Sequence, residues 1–240
     1  MNNENRSILL EGFAEFGVNL TENQIANFER YHKMLIEWNE KINLTAITDE
    51  RDVVIKHFID SISIIQFIPK NALNIIDVGT GAGFPGIPLK VVKDQLNITL
   101  LDSLEKRVRF LNSIINEIGI SGIRTIHARA EDLGKDKEHR ECYDVGTARA
   151  VASLSVLCEY ILPFVRIGGY FICMKGSDVE NEISDSKTAL SILGGEIEKV
   201  VNFSLPFEKS ERNIILIKKI RHTPTKYPRK SGKPTKTPLK

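Results

Sequence analysis

The sequence has no apolar run approaching the ~20 residues that a membrane-crossing helix requires. Its N-terminus, MNNENRSILLEGFAEF, carries acids and amides around its apolar stretch and reads poorly as a signal peptide. Cysteine is scarce: Cys142, Cys158 and Cys173 are the only three in 240 residues, with no C-x-x-C and no Cys/His metal spacing. An odd number of widely spaced thiols predicts a reducing, cytoplasmic setting and no metal site. Acids are missing from one place. Residues 218–240 hold nine Lys or Arg, no Asp or Glu, and four of the nine prolines. The remainder has 24 basic against 31 acidic residues, so the net charge of +2 conceals an acidic body and a basic tail. Without an apolar stripe, this tail is expected to be mobile and to find polyphosphate by counterion release, with a solubilising terminus as the alternative.

Hydrophobic residues at 42% and charged residues at 27% suit a globular chain able to bury one substantial α/β core with a decorated end. Residues 1–70 read as a helical extension. Thr21 and Gln24 form a capping-box pattern. Ile25, Phe28, Tyr31, Leu35, Trp38 and Ile42 then recur at spacings of three and four, an aromatic stripe expected in the core rather than in a base-stacking platform. NLTAIT (43–48) interrupts it, and Thr48 before Asp49 and Glu50 reads as a new helix start. His57, Asp60 and Ser61 share one face of that next helix, either facing a crevice or pinning the helices to the sheet.

From residue 73 the period changes. Apolar, β-branched runs at 74–78, 97–102, 123–128, 143–148 and 169–175 alternate with helical patterns at 86–94, 104–118, 152–165 and 178–193. This alternation predicts a Rossmann-like, mostly parallel sheet covered on both faces over 71–220. Two final runs, 197–205 and 213–220, have no helix between them and predict an antiparallel pair at one edge, giving seven strands. Residues 221–240 are left as the basic tail.

IIDVGTGAGFPGIPL (75–89) runs from a strand through Gly79, Gly81, Gly83 and Gly86 into a helix. Glycines let the chain turn sharply and let a ligand approach the backbone. A bare G-x-G-x-x-G at 81–86 also suits a dinucleotide-binding oxidoreductase. Asp77 separates the two readings. A carboxylate at the mouth of the loop repels a pyrophosphate and suits the ammonium of S-adenosylmethionine, unless it merely caps its own loop. Asp102, ending the second strand, can accept both ribose hydroxyls of an adenosine. Ala130 and Glu131, after the third strand, are candidates for the adenine edge. Arg149 and Lys175, ending the fourth and fifth strands, share the rim where open α/β sheets bind ligands, and fit an anionic or guanine-like substrate.

These blocks resemble the RsmG (GidB) family of bacterial 16S rRNA guanine-N7 methyltransferases. The resemblance rests on NLTAIT (43–48), KHFIDS (56–61), DVGTGAGFPGIPL (77–89), LLDSLEKRVRFL (100–111), HARAE (127–131), TARAVASL (147–154), MKG (174–176) and KYPRKSGKPTKTPL (226–239). It implies methylation of guanine 527 at N7, in the 530 loop, on 16S rRNA, a 30S subunit or an assembly intermediate, by a chain expected to act as a monomer. It also implies cofactor contacts at Gly79, Phe84, Ala130, Glu131 and Arg149. One departure is Gly146-Thr147-Ala148, where the family pattern calls for a bulkier strand and a Ser. Guanine N7 has an in-plane lone pair and no proton, so no general base is required. The sequence has no [DN]-P-P-[FYW] segment for exocyclic amines and no Pro-Cys for cytosine C5. Arg149 and Lys175 are therefore expected in the active site, Arg149 as a positioning group. The rivals are a nicotinamide-dependent oxidoreductase, for which no catalytic Tyr/Lys or His partner is recognisable, and a non-catalytic RNA-binding module.

Overall fold

Apolar alternation along the strands divides the molecule into two cores. In the computed structural model, which describes residues 1–149, 152–177 and 179–239, the strands are β1 (Asn74–Val78), β2 (Asn97–Asp102), β3 (Ile123–His127), β4 (Tyr143–Arg149), β5 (Val165–Lys175), β6 (Gly195–Ser204) and β7 (Glu211–Lys219). Ala150 and Val151 of the TARAVASL block, Asp178 at the head of the 178–193 pattern and the terminal Lys240 lie outside the described residues. Ile75, Leu100, Ile172, Ile214 and Leu216 point into one core, while their neighbours Ile76, Leu101, Phe171, Cys173, Ile215 and Ile217 point into the other. This two-residue period is what a sheet covered on both faces demands.

The sheet has seven strands in the order β3-β2-β1-β4-β5-β7-β6. β1 runs parallel to both β2 and β4, with Ile75 opposite Ile98 on one side and Val145 on the other. The order reverses at β1, and such a switch point opens a crevice at the carboxyl ends of the strands. The reversed strand is β7, inserted between β5 and the outermost β6 and antiparallel to both.

Helices α1 (Asn3–Glu15) and α2 (Glu22–Ile42) cover the first core. Thr21 and Gln24 complete the expected capping box. Phe28 and Tyr31 are fully buried, and Trp38 packs edge-on against Phe110, so the aromatic stripe is core. The next helix starts one residue later than Thr48 suggests, because the Asp49 carboxylate caps the Asp52 amide. It is not uniform: α3 (Glu50–Val53) widens into a π-helical stretch, Val54–Ile59, before α4 (Asp60–Ile62). π-Turns in α-helices are rare and frequently mark functional sites.

α5 (Gly86–Val92) and α6 (Glu105–Ile118) follow β1 and β2, and α7 (Ala130–Leu133) follows β3. α8 (Leu154–Ile161), α9 (Glu180–Asp185) and α10 (Lys187–Leu193) lie after β4 and β5. The small residue in the departing Gly146 segment has a steric reason. A Cβ there would lie 2.4 Å from Ile161 Cγ2, so glycine lets α8 settle on β4.

The C-terminal tail is not the mobile appendage its composition predicts. Arg229 lays its guanidinium on the buried Glu159 carboxylate of α8, with Nη2 to Oε2 at 2.6 Å and Nε to Oε1 at 2.9 Å, and the Arg229 amide adds a bond to Oε1. Arg140 donates to the carbonyls of Gly134, Thr223 and Tyr227. Glu141 receives the Thr223 amide, His222 and the fully buried Lys219 ammonium. Tyr227 and Pro234 are buried. Charge-assisted bonds to buried carboxylates hold the segment where an apolar stripe is absent. A short helix, α11 (Lys233–Lys236), ends it.

Candidate functional site

The glycine loop is pinned from inside by carboxylates. Asp77 is fully buried, and its Oδ2 accepts from Thr80 Oγ1 at 2.6 Å and the Gly86 amide at 2.9 Å. Its other oxygen, Oδ1, is buried without a partner among the described residues. Burial pushes the Asp77 carboxyl up to about 6, against the opposing pull of the Thr80 and Gly86 hydrogen bonds. Asp77 thus sits beneath the loop rather than on the wall of the neighbouring cleft. Gly83 has φ +100°, and a Cβ there would lie 2.7 Å from the Tyr31 hydroxyl, so both backbone and space require glycine.

A cleft of about 450 Å³ opens at the carboxyl ends of β1, β2 and β3. Val78, Gly79, Asp102, Ser103, Ala130 and Glu131 line it. Asp102 is almost fully buried; Oδ2 accepts from the Gly81 amide and Oδ1 from the Leu104 amide, both at 2.9 Å. Glu131 is also buried and accepts the Gly232 amide at 3.0 Å.

The donor set decides what can fit. The amides of Gly79 and Thr80 bond to Leu101, Gly81 to Asp102, Gly83 and Phe84 to Thr80, and Gly86 to Asp77. A pyrophosphate cradle needs such amides free. Here they are engaged, and the cleft presents the carboxylates of Asp102, which pairs with Arg107 at 3.4 Å, and Glu131, with Arg129 also on its lining. A phosphate-free adenosyl group joined to an ammonium-bearing chain fits this chemistry, with the unpaired Asp77 oxygen close behind the loop.

A second cavity, about 390 Å³, lies on the same rim around β4, β5 and β7. Arg149 is its centre. Nη1 donates to the Lys56 carbonyl at 2.9 Å and to Asp60 Oδ2 at 3.1 Å, and Nη2 donates to His57 Nδ1 at 3.0 Å. Its guanidinium carbon stands 4.9 Å from the centre of the Phe84 ring, on which His57 also stacks at 4.5 Å. His57 Nε2 is 2.9 Å from Thr45 Oγ1. Since Nδ1 accepts from Arg149, the His57 proton resides on Nε2 and points at Thr45. Burial, and then the Arg149 charge, lower the His57 pKa to about 3, so the ring is neutral at physiological pH. Arg212 donates to the remaining Asp60 oxygen at 2.9 Å. Lys175 reaches the Ala152 carbonyl at 2.5 Å and pairs with Glu182 at 2.8 Å. Ala152 in turn lines the first cleft, so Lys175 spans the two.

The structure gathers Gly79, Asp102, Ala130 and Glu131 on one cleft and Arg149 and Lys175 on the other cavity, with Phe84 against Arg149. Gly81 and Gly83 shape the loop without lining either space. Sequence reasoning did not single out Thr45, Arg212 or Tyr160. Thr45 could have been suspected from the helix-breaking NLTAIT block. Arg212 and Tyr160 carry no local signal. Among the described residues there is no cluster able to hold a metal ion and no helix long and apolar enough to cross a membrane.

A sheet of this order, with a carboxylate-bearing cleft after β1 and β2 and a cationic cavity beside it, is that of an S-adenosylmethionine-dependent methyltransferase. A solved SAM-dependent methyltransferase from Aquifex aeolicus shares the fold at TM-score 0.51 and 15% identity, over 69% of this chain and 92% of that one. The family described as rRNA small subunit methyltransferase G matches residues 24–215. Ribosomal RNA small subunit methyltransferase G of Acetivibrio thermocellus is 58% identical over 98% of this chain and 96% of its own length. Its namesake from Alkaliphilus metalliredigens is 51% identical over 99% of this chain and 100% of its own. The chain belongs to the rRNA small subunit methyltransferase G (GidB) family. That membership, with the engaged loop amides, sets aside the nicotinamide-dependent oxidoreductase.

Proposed function

We propose that this chain methylates N7 of a guanine in 16S rRNA, guanine 527 of the 530 loop, acting in the cytoplasm as a single chain. The observation that carries the reading is that the second cavity offers cations and no available base. Both Asp60 oxygens are held by arginines, both His57 nitrogens are engaged, and His57 stays neutral. Guanine N7 bears a lone pair and no proton, so a site without a base suits it, whereas a nucleophile that must first lose a proton would be stranded.

Bound S-adenosylmethionine supplies a methyl group on an electrophilic sulfonium. Asp102 would accept the ribose hydroxyls and Ala130 and Glu131 would meet the adenine edge, while the Asp77 carboxylate beneath the loop would favour the methionine ammonium from a distance or through water. Arg149, immobilised by Lys56, His57, Asp60 and the Phe84 face, would hold the guanine or a neighbouring phosphate at this rim. It positions and does not stabilise developing charge, because the methylated purine is itself cationic. Lys175 and Arg212 complete an anion-attracting rim.

The test is transfer of labelled methyl to small-subunit RNA, 30S subunits and assembly intermediates from cells lacking the gene, mapped by borohydride–aniline cleavage at N7-methylguanine. One cleavage in the 530 loop is expected. Cofactor binding with no transfer to any of these substrates would replace the reading with a non-catalytic RNA-binding module.

A further inference from the structure

The outer wall of the cofactor cleft comes from the far end of the chain. Gly232 and Thr235 line the cleft together with Ala130, Glu131 and Tyr160. The Gly232 amide donates to Glu131 Oε1 at 3.0 Å. Tyr160, on α8, lines the cleft beside Glu131 and Thr235, where burial and the neighbouring Glu131 carboxylate push its hydroxyl up to about 12. Arg129 Nη1 adds a bond to Ser231 Oγ at 2.6 Å. These bonds converge on the end of the cleft where Glu131 sits, away from the loop and Asp77.

The segment has a firm root and a lighter tip. Its root is Arg229, clamped to Glu159, which is almost fully buried. Beyond it, residues 230–236 are held through Gly232, Ser231, Thr235, the buried ring of Pro234 and a single turn of helix. Gly232 has φ +76°, a conformation that lets the chain turn in over the cleft. Lys230, Lys233 and Lys236 are exposed along this tip, and no ion pair holds them among the described residues. One face of a short strap therefore meets the cofactor space, and the other presents three cations to solvent.

We propose that residues 231–236 are a cofactor-binding strap, closing over the adenosine end of the cleft through Glu131 and Tyr160, and that RNA phosphates bound by Lys230, Lys233 and Lys236 hold it shut. Cofactor and RNA then bind with mutual enhancement, because each stabilises the same closed arrangement of the tip. The inference rests on the adenosyl-cofactor reading of the cleft and adds a moving wall to it.

The experiment measures S-adenosylhomocysteine affinity by calorimetry, with and without an RNA hairpin carrying the 530-loop sequence. The full chain, a chain ending at Lys230, Gly232→Pro and Tyr160→Phe are compared, and thermal melting verifies that each folds. The truncation keeps the Arg229–Glu159 root. Gly232→Pro removes the amide that Glu131 receives and, by forbidding the positive φ, also turns residues 233–236 away from the cleft. Truncation and Gly232→Pro are expected to weaken the ligand by about tenfold, Tyr160→Phe by a few fold, and the hairpin to tighten it several-fold in the full chain alone. Hydrogen exchange at residues 231–236 should slow on ligand binding. If the full chain binds the ligand and every variant binds it equally, the strap is overturned. Tighter binding by the truncated chain overturns it too, making the segment a plug. Failure of the full chain itself to bind would instead sink the cofactor reading on which the strap rests.

Discussion

The two spaces on the sheet rim are built by different means. The cleft beside the glycine loop is mostly strand ends, contributed in chain order by β1, β2 and β3 and the loops that follow them. The second cavity gathers side chains from distant segments: His57 and Asp60 from the N-terminal region, Arg149 from β4, Lys175 from β5 and Arg212 from β7, with Thr45 behind His57. A backbone-built site tolerates many exchanges away from its glycines and carboxylates. A site built from interlocked side chains fails when any one member leaves, since each holds the next.

The sharpest break in this contrast is Arg149→Ala, expected to lower single-turnover methyl transfer by roughly 10²-fold or more through lost alignment. Arg149→Lys should not restore it, because an ammonium cannot span Lys56, His57 and Asp60 at once. Normal turnover by the alanine variant would remove Arg149 from the site. Next in size, Asp60→Ala leaves Arg149 and Arg212 facing each other without their shared carboxylate. Urea unfolding should show a loss of about 3 kcal/mol, the cost of stripping a partner from a buried pair. On the cleft side, Asp102→Asn should weaken S-adenosylhomocysteine about tenfold, or ~1.4 kcal/mol, with RNA binding unchanged. Equal losses for both ligands would mean that the cleft and the cavity are one cooperative unit.

The smallest effects separate the two regions by sign. His57 has a folded pKa of about 3 against an ordinary 6.5, so between these values the unfolded chain binds more protons and stability rises with pH. Asp77 has a folded pKa of about 6 against an ordinary 3.8; here the native chain binds more protons, and this contribution is lost as pH rises toward and through 6. Melting temperature followed from pH 4 to 6.5 should therefore climb less steeply in His57→Gln and more steeply in Asp77→Asn. Slopes unchanged in both would show that neither group titrates as its burial demands.

The same contrast explains what could be read from the sequence. The strands, the glycine loop, Asp102 and the 130–131 pair were legible because each is announced by periodicity or by a fixed offset from the loop. The His57–Arg149–Asp60 cluster was only half legible. A three-and-four spacing places His57 and Asp60 on one face without saying what meets it, and the π-helical stretch that carries His57 leaves no mark in that spacing. The tail misled most. Its composition lacks an apolar stripe, and nothing in it reveals that Glu131, Glu141 and Glu159, scattered through the body, converge to receive it. Asp77 was legible as an acid at the loop, yet its place beneath the loop depends on Thr80 and Gly86 folding over it.

The anchoring of the C-terminal segment also sets a timetable. Arg229 must find Glu159, on a helix made 70 positions earlier, before Gly232 and Thr235 can line the cleft. The glycine loop and its strands can assemble while the chain is still emerging, but the cleft cannot gain its outer wall until residues 231–236 have been made and have docked. Maturation of the site is thereby tied to docking of residues 229–236, and a chain clipped before them would carry the fold with its cleft still open.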